Sequence, residues 1–371
     1  MNDDAGSPVR RMLITADTVG GVWTHAYELI RVLAGRGVEV ALATMGAPIN
    51  GEQRASVADI PHLAVFESGY KLEWMDDPWQ DVAAAGEWLL GVAAQFQPDV
   101  VHLNSFAHGA LAWNAPVLVV GHSCVASWWE AVKGEAVPES WNAYRDAVRA
   151  GLQAANMVAA PTRAMLESLQ KHYGPLANAI VVPNGRDANL FRPAAKEQLV
   201  FSAGRLWDDA KNIKAVDDVA ARLPWPVYVA GEARHPSGGT YQVSNAKFLG
   251  VLPPAEVAQW MARAAIYALP ARYEPFGLTA LEAALCGCAL VLGDIPSLRE
   301  VWEDAAFYVP PDDRAALEAA IRSLIGDPSA RAARAMAARG RALEFTPERM
   351  AQQYIEAYAG LVGQRHLAAG G

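Results

Sequence analysis

Short apolar runs rich in Val, Ile and Leu alternate with amphipathic stretches of helical length along most of this chain, and that alternation is what most restricts its fold. A brief, continuously apolar run reads as a strand buried on both faces of a parallel sheet, and each parallel strand needs a helical crossover to reach the next. In the first half the runs are Arg11 to Ala16, Val38 to Thr44, His62 to Glu67, Val100 to Asn104, Val117 to His122, Met157 to Ala160 and Ile180 to Pro183. The segment from Pro183 to Lys196, with its prolines, asparagines and glycine, has no periodicity and reads as a linker. The pattern then resumes with Leu199 to Ala203, Val227 to Ala230, Lys247 to Leu249, Ile266 to Leu269, Ala289 to Leu292 and Phe307 to Val309. From Asp312 onward it is helical, with Asp327 and Thr346 each placed as an N-cap before a proline. The expectation is an α/β chain of two doubly wound domains, residues 1–190 and 191–345, with a helix over 346–371 packing back toward the first. Ligands of open α/β sheets bind beyond the carboxyl ends of the strands, so the site is expected in a cleft between two facing sheets.

Composition narrows the partners. The 371 residues carry a net charge of −9, and residues 1–190 hold 12 basic against 20 acidic side chains, which is −8 of that total. Nucleic acid and anionic lipid both require a basic surface, so neither is expected as a partner. Three cysteines, Cys124, Cys286 and Cys288, are too few for a disulfide framework, and the last two read as lying in a helix, where i and i+2 point apart. The N-terminal residues 1–11 lack the apolar core of a signal peptide. Val100 to Trp129 contains no charged residue, yet His, Asn and Pro interrupt it, so it reads as buried strands with a loop rather than a membrane span. A soluble, cytoplasmic protein is expected.

The segment from Arg272 to Leu290 carries the sharpest chemical signal, with Glu274 and Glu282 eight positions apart. Pro275 reads as opening a helix whose first amides, from Phe276, Gly277 and Leu278, lack intrahelical partners and make an anion site. On a helix, eight residues separate the two carboxylates by roughly 12 Å along the axis, about the span from a hexose ring to a ribose across a diphosphate. One carboxylate could then hold sugar hydroxyls and the other ribose hydroxyls. Two isolated glutamates would instead read as a cap and a solvent-facing charge. The whole string, Glu-Pro-Phe-Gly-Leu followed by Leu-Glu-Ala, a glycine and a strand, resembles the glutamate-pair motif of the retaining glycosyltransferases of family 4, in the glycogen-synthase-like superfamily of GT-B fold.

That resemblance extends over nearly the whole chain and implies a set of roles. Gly204-Arg205-Leu206 with Lys211-Asn212 resembles the pair of cations that holds the diphosphate, where Arg205 and Lys211 would neutralise the leaving group without a metal. Pro183-Asn184-Gly185 resembles the linker turn, with Asn184 either facing a ligand or purely structural. Gly20 and Gly21 resemble the N-terminal glycine loop that approaches the phosphate or sugar, although a tight strand-to-helix turn explains them as well. His122 matches the histidine near the reacting sugar, where it would fix a hydroxyl or stabilise developing positive charge through its carbonyl. His25, His102 and His108 read as ordinary hydrogen-bonded side chains. The loop from Leu72 to Trp79 sets aromatic faces beside carboxylates and suits a polyhydroxylated acceptor.

The sequence therefore reads as a retaining hexosyltransferase that takes a nucleotide diphosphate sugar, a UDP sugar ahead of a GDP sugar, and a saccharide or small-molecule hydroxyl acceptor. No metal and no other cofactor are expected. Two alternatives use the same donor site: a sugar-nucleotide epimerase or hydrolase, and a non-catalytic sugar-nucleotide binder.

Overall fold

The computed structural model describes residues 9–18, 20–235 and 238–369, with side chains to 365. The N-terminal segment examined for a signal peptide lies mostly outside the described residues. The chain divides into two compact units. One contains the described residues through Ser127, then Ala136–Gly185 and the chain from Pro347; the other contains Trp128–Glu135 and Arg186–Thr346. The unit boundary thus falls at 185/186, inside the linker segment.

The first unit is built on seven parallel strands: β1 (Arg11–Asp17), β2 (Glu39–Met45), β3 (Leu63–Glu67), β4 (Val100–Leu103), β5 (Val117–Val120), β6 (Met157–Ala160) and β7 (Ala179–Val181), in the order β3-β2-β1-β4-β5-β6-β7. β1 pairs with β2 from Arg11 opposite Glu39 to Asp17 opposite Met45, and with β4 through Met12 opposite Val100. The order reverses between β1 and β4, the switch point at which such sheets open a crevice. Helix Gly21–Gly35 follows β1 and buries Ala26, Leu29, Ile30 and Leu33, one face at helical spacing. The last helix, Pro347–Ala369, buries Met350, Tyr354, Tyr358 and Leu361 in the same core, against Gly21–Gly35.

The second unit repeats the plan with β8 (Glu197–Ala203), β9 (Val227–Ala230), β10 (Lys247–Phe248), β11 (Ala264–Leu269), β12 (Ala289–Gly293) and β13 (Phe307–Val309), ordered β10-β9-β8-β11-β12-β13 and again all parallel. Its core joins Phe201, Tyr267, Leu281 and Trp302. Asp327 caps helix Pro328–Ala342 by accepting from the Ala330 amide.

Three local expectations are corrected. Pro275 does not open a helix: Gly277, at φ 92°, is the N-cap, and the helix runs Leu278–Leu285. Cys286 and Cys288 lie just past that helix, in the turn that leads into β12, and all three cysteines are buried thiols. β5 ends at Val120, so His122 stands two residues beyond it. Among the described residues no helix is long and apolar enough to cross a membrane.

Gly231 directly follows β9 at φ +136°, and a Cβ there would lie 1.8 Å from the backbone oxygen of Gly204 at the end of β8. The two strand ends therefore approach as closely as glycine permits, immediately before Arg205. Gly231→Ala is expected to cost roughly 1–3 kcal/mol. Chemical unfolding checks this, with an unchanged midpoint contradicting the close approach.

Candidate functional site

In the second unit, loops beyond the carboxyl ends of β8 and β11 bring three of the singled-out residues together, Arg205, Lys211 and Glu274, with Asp208 among them. Arg205 stands just past β8 with its side chain 45% exposed, and its Nη2 donates to Asp208 Oδ2 at 2.8 Å. Asp208 is only 5% exposed, and its Oδ1 accepts from the Ala210 amide at 3.0 Å and the Trp128 indole at 3.1 Å. Burial pushes the Asp208 carboxyl up, but the charges of Arg205 and Lys211, with hydrogen bonds from Arg205 and Trp128, outweigh it and hold the carboxyl below its ordinary range. Asp208 is thus a fixed anion that orients Arg205. It was not legible as a site residue, since an Asp three positions after an Arg in a loop carries no pattern.

Lys211 Nζ donates to Glu274 Oε2 at 2.5 Å. Glu274 is 8% exposed, its Oε1 accepts from the Gly277 amide at 3.1 Å, and its carbonyl accepts from Ser297 Oγ at 2.6 Å. The expected anion site is corrected accordingly: of the amides at Phe276, Gly277 and Leu278, that of Gly277 is taken by Glu274, and the helical dipole begins only at Leu278. The separation inferred for Glu274 and Glu282 along one helix does not apply either, because Glu274 precedes the helix. Asn212 holds the Lys211 loop in place by donating to the carbonyls of Pro270 and Pro311, at 2.9 and 2.7 Å.

Glu282 does lie on Leu278–Leu285, and its Oε1 is 2.9 Å from Nε of Arg186, both side chains largely buried. Arg186 also rests over the Phe191 ring and donates its amide to Phe345 O at 3.0 Å. The sequence signal for Arg186 is its place immediately after Asn184-Gly185, the turn in which Asn184 alone carries a candidate ligand-facing role. Beside Asp208 and Asn212, and not lined by Arg186 or Glu282, opens a cavity of about 650 Å³, a volume suited to a small-molecule ligand, with Trp207, His235, Arg272 and Arg314 also in its wall.

In the first unit, Gly20 takes φ 85°, ψ −149°, a conformation nearly confined to glycine, and Gly21 starts the helix with both residues exposed. His122 Nε2 lies 2.7 Å from Asn104 Oδ1, and His25 Nδ1 lies 2.9 Å from Asn184 Oδ1. Asn184 is buried with its oxygen engaged by His25. His25 meets His122 edge-on, with ring centroids 4.6 Å apart, and His102 lies close to His25. Burial lowers all three imidazoles: His25 to about 4, and His102 and His122 well below their ordinary value, with further lowering from neighbouring histidines. The loop from Leu72 to Trp79 is corrected in part. Both oxygens of Glu73 accept from the Phe106 and Ala107 amides, at 2.9 and 2.7 Å, so that carboxylate braces the loop after β4 and is not offered to an acceptor, while Trp74 is 41% exposed.

Comparison with known proteins follows this geometry. Residues 19–190 match the family model for Glycosyltransferase Family 4, and residues 197–327 match that for Glycosyl transferases group 1. A glycogen synthase of Mycobacterium tuberculosis is 28% identical over 368 residues, covering 87% of this chain and 86% of that protein. A D-inositol 3-phosphate glycosyltransferase of Xylanimonas cellulosilytica is 27% identical, covering 92% and 91%. Among solved structures, sucrose-phosphate synthase from Thermosynechococcus elongatus superposes with a TM-score of 0.78 at 20% identity over 98% of this chain and 100% of that one. HepE of Anabaena, solved with UDP and glucose, gives 0.77 at 20% identity over 95% and 100%. The fold is therefore GT-B.

The neutral histidine cluster has a pH signature. His25 titrates at about 4 in the folded chain against 6.5 when unfolded, so between those values only the unfolded chain takes up the proton. Its contribution is complete above pH 6.5 and is lost as pH falls toward 4, a change on the order of 3 kcal/mol. Urea unfolding at pH 7.5 and 4.5 checks this, and His25→Gln is expected to flatten the loss.

Proposed function

The chain belongs to the family 4 glycosyltransferases, and on that premise we propose that it moves a hexose from a nucleoside diphosphate sugar to a hydroxyl of a soluble saccharide or small molecule, with retention of anomeric configuration. The observation that carries this reading is the convergence, in one unit, of Arg205, Lys211, Glu274 and the start of helix Leu278–Leu285, with Glu282 on that same helix. Two cations and a helix N-terminus are what a departing diphosphate needs. Their pairing with Asp208 and Glu274 keeps them in place until a more highly charged partner arrives.

A diphosphate competes with Glu274 for Lys211, and the carboxylate oxygen so released accepts from sugar hydroxyls. Glu282, braced by Arg186, accepts from ribose hydroxyls. The acceptor oxygen attacks the anomeric carbon on the face from which the diphosphate leaves. The bond to phosphate breaks with its electron pair going to the diphosphate, and a phosphate oxygen takes the acceptor's proton. His122 lines the reacting centre. Because Arg205 and Lys211 supply the positive charge, the scheme has no divalent ion in it, and activity is expected to survive EDTA. A UDP sugar stands ahead of a GDP sugar as donor, and glucans and inositol phosphate head the acceptor panel because relatives carry those names.

The test is a screen of UDP and GDP hexoses against that panel, with the first-formed product read by proton NMR. The expected product keeps the donor's anomeric configuration, and an inverted product overturns the proposal. Turnover of donor without any acceptor would favour an epimerase or hydrolase. Arg205→Ala and Lys211→Ala are each expected to lower turnover roughly 10²-fold or more, by analogy with loss of one oxyanion donor. Glu282→Ala is expected to weaken donor binding by roughly 1.5–3 kcal/mol in calorimetry, and unchanged affinity there would remove the ribose role.

A further inference from the structure

We propose that Asn104 is a positioning residue that fixes His122 as the Nε2–H tautomer, so that His122 meets a sugar hydroxyl as a hydrogen-bond acceptor through Nδ1 and not as a donor. The hydroxyl half of this inference rests on the reading that His122 lines the reacting centre; the tautomer half rests on geometry alone.

Asn104 Nδ2 donates to the carbonyl oxygen of Thr15 at 2.7 Å. A backbone carbonyl only accepts, so the amide nitrogen must face Thr15 and the amide oxygen must face the imidazoles; the opposite flip would set two acceptors together. The backbone of Asn104 is held as well, because its amide donates to Thr15 Oγ1 at 2.9 Å. An amide oxygen also only accepts. The His122 nitrogen 2.7 Å from it, Nε2, therefore carries the proton. Burial disfavours a second proton on the ring, which leaves Nδ1 with its lone pair.

The same oxygen receives a second imidazole. His102 Nε2 lies 3.3 Å from Asn104 Oδ1, so that ring too is protonated at Nε2, and its Nδ1 accepts from the hydroxyl of Tyr358 at 2.6 Å. The hydrogen-bond direction is thus set from Tyr358 through His102 to Asn104, and from His122 to the same Asn104. His25 packs edge-on against His122, and Tyr354 packs on both His25 and His102. The titratable groups gathered around His122 are imidazoles shifted down and phenols shifted up, all uncharged at neutral pH, so none of them draws a proton onto Nδ1. Neighbouring strands β1, β4 and β5 deliver Thr15, Asn104 and His122 to one place, at the switch point of the sheet.

The full chain, labelled with ¹⁵N at histidine, reports each tautomer through long-range proton–nitrogen correlations. Wild type is expected to show neutral His122 protonated at Nε2, and Asn104→Ala to show a mixture with the Nδ1–H form. With a UDP hexose and a working acceptor, kcat of Asn104→Ala is expected to fall about tenfold, the size of one hydrogen bond, with little change in donor KM. Asn104→Asp keeps the acceptor and is expected to retain the Nε2 proton while raising the His122 pKa. It also keeps the question open to test if the alanine variant does not fold. A wild-type His122 protonated at Nδ1, or a tautomer unmoved by Asn104→Ala, overturns the proposal. A shifted tautomer with unchanged kcat leaves the positioning in place but overturns the hydroxyl-acceptor role and, with it, the placement of His122 at the reacting centre.

Discussion

Every strand in both sheets is parallel to its neighbours, and the rest of the molecule follows from that constraint. A parallel strand cannot return by a hairpin, so each is followed by a crossover of a dozen or more residues, and all carboxyl ends emerge along one edge. The loops at that edge are the ones free to carry polar chemistry, because the central strands beneath them are buried on both faces. Arg205, Asp208, Lys211 and Glu274 occupy this edge in the second unit, and Asn104 and His122 occupy it in the first.

The two edges solve different electrostatic problems. In the second unit the groups at this edge are ions, and each has a counterion: Arg205 with Asp208, Lys211 with Glu274, and Arg186 with Glu282. A part-buried ion left without its partner in such a place would be costly, and the pairing holds each in one geometry. Glu274 is central to this arrangement because it also takes the Gly277 amide, so one carboxylate both pairs Lys211 and holds the turn before the helix.

In the first unit the polar groups are instead kept neutral. Three imidazoles and two phenols lie in contact, and their hydrogen bonds run to amide side chains and to one another rather than to ions. Packing this dense leaves each ring one orientation, and burial leaves it one protonation state. Tyr354 and Tyr358 reach this cluster from the last helix, which belongs to the first unit although it follows the second in sequence.

Among the described residues all thirteen strands were legible in the sequence to within a few residues: the central ones because a fully buried strand must be apolar along its length, and the more exposed edge strands β3, β7 and β10 from their place in the alternation with helices. Arg205, Lys211, Glu274, Glu282 and His122 were legible as candidates through the family resemblance that their local strings carry; taken singly they read as loop charges, a cap, a solvent-facing charge and a structural histidine. What the string could not carry is which of these groups touch. Lys211 and Glu274 lie 63 positions apart and meet only because β8 and β11 are neighbours in the sheet. Asp208, Arg186 and Asn104 escaped notice because each acts through a residue distant in sequence or through a loop contact with no pattern. The start of the helix at Leu278 rather than Pro275 was likewise decided by Gly277, whose left-handed backbone is fixed by the Glu274 carboxylate folding back on it. Periodicity and local motif determined the elements and the chemical inventory; hydrogen-bond direction, charge pairing and tautomer were decided by tertiary structure, because each is a property of two groups brought together and not of either one alone.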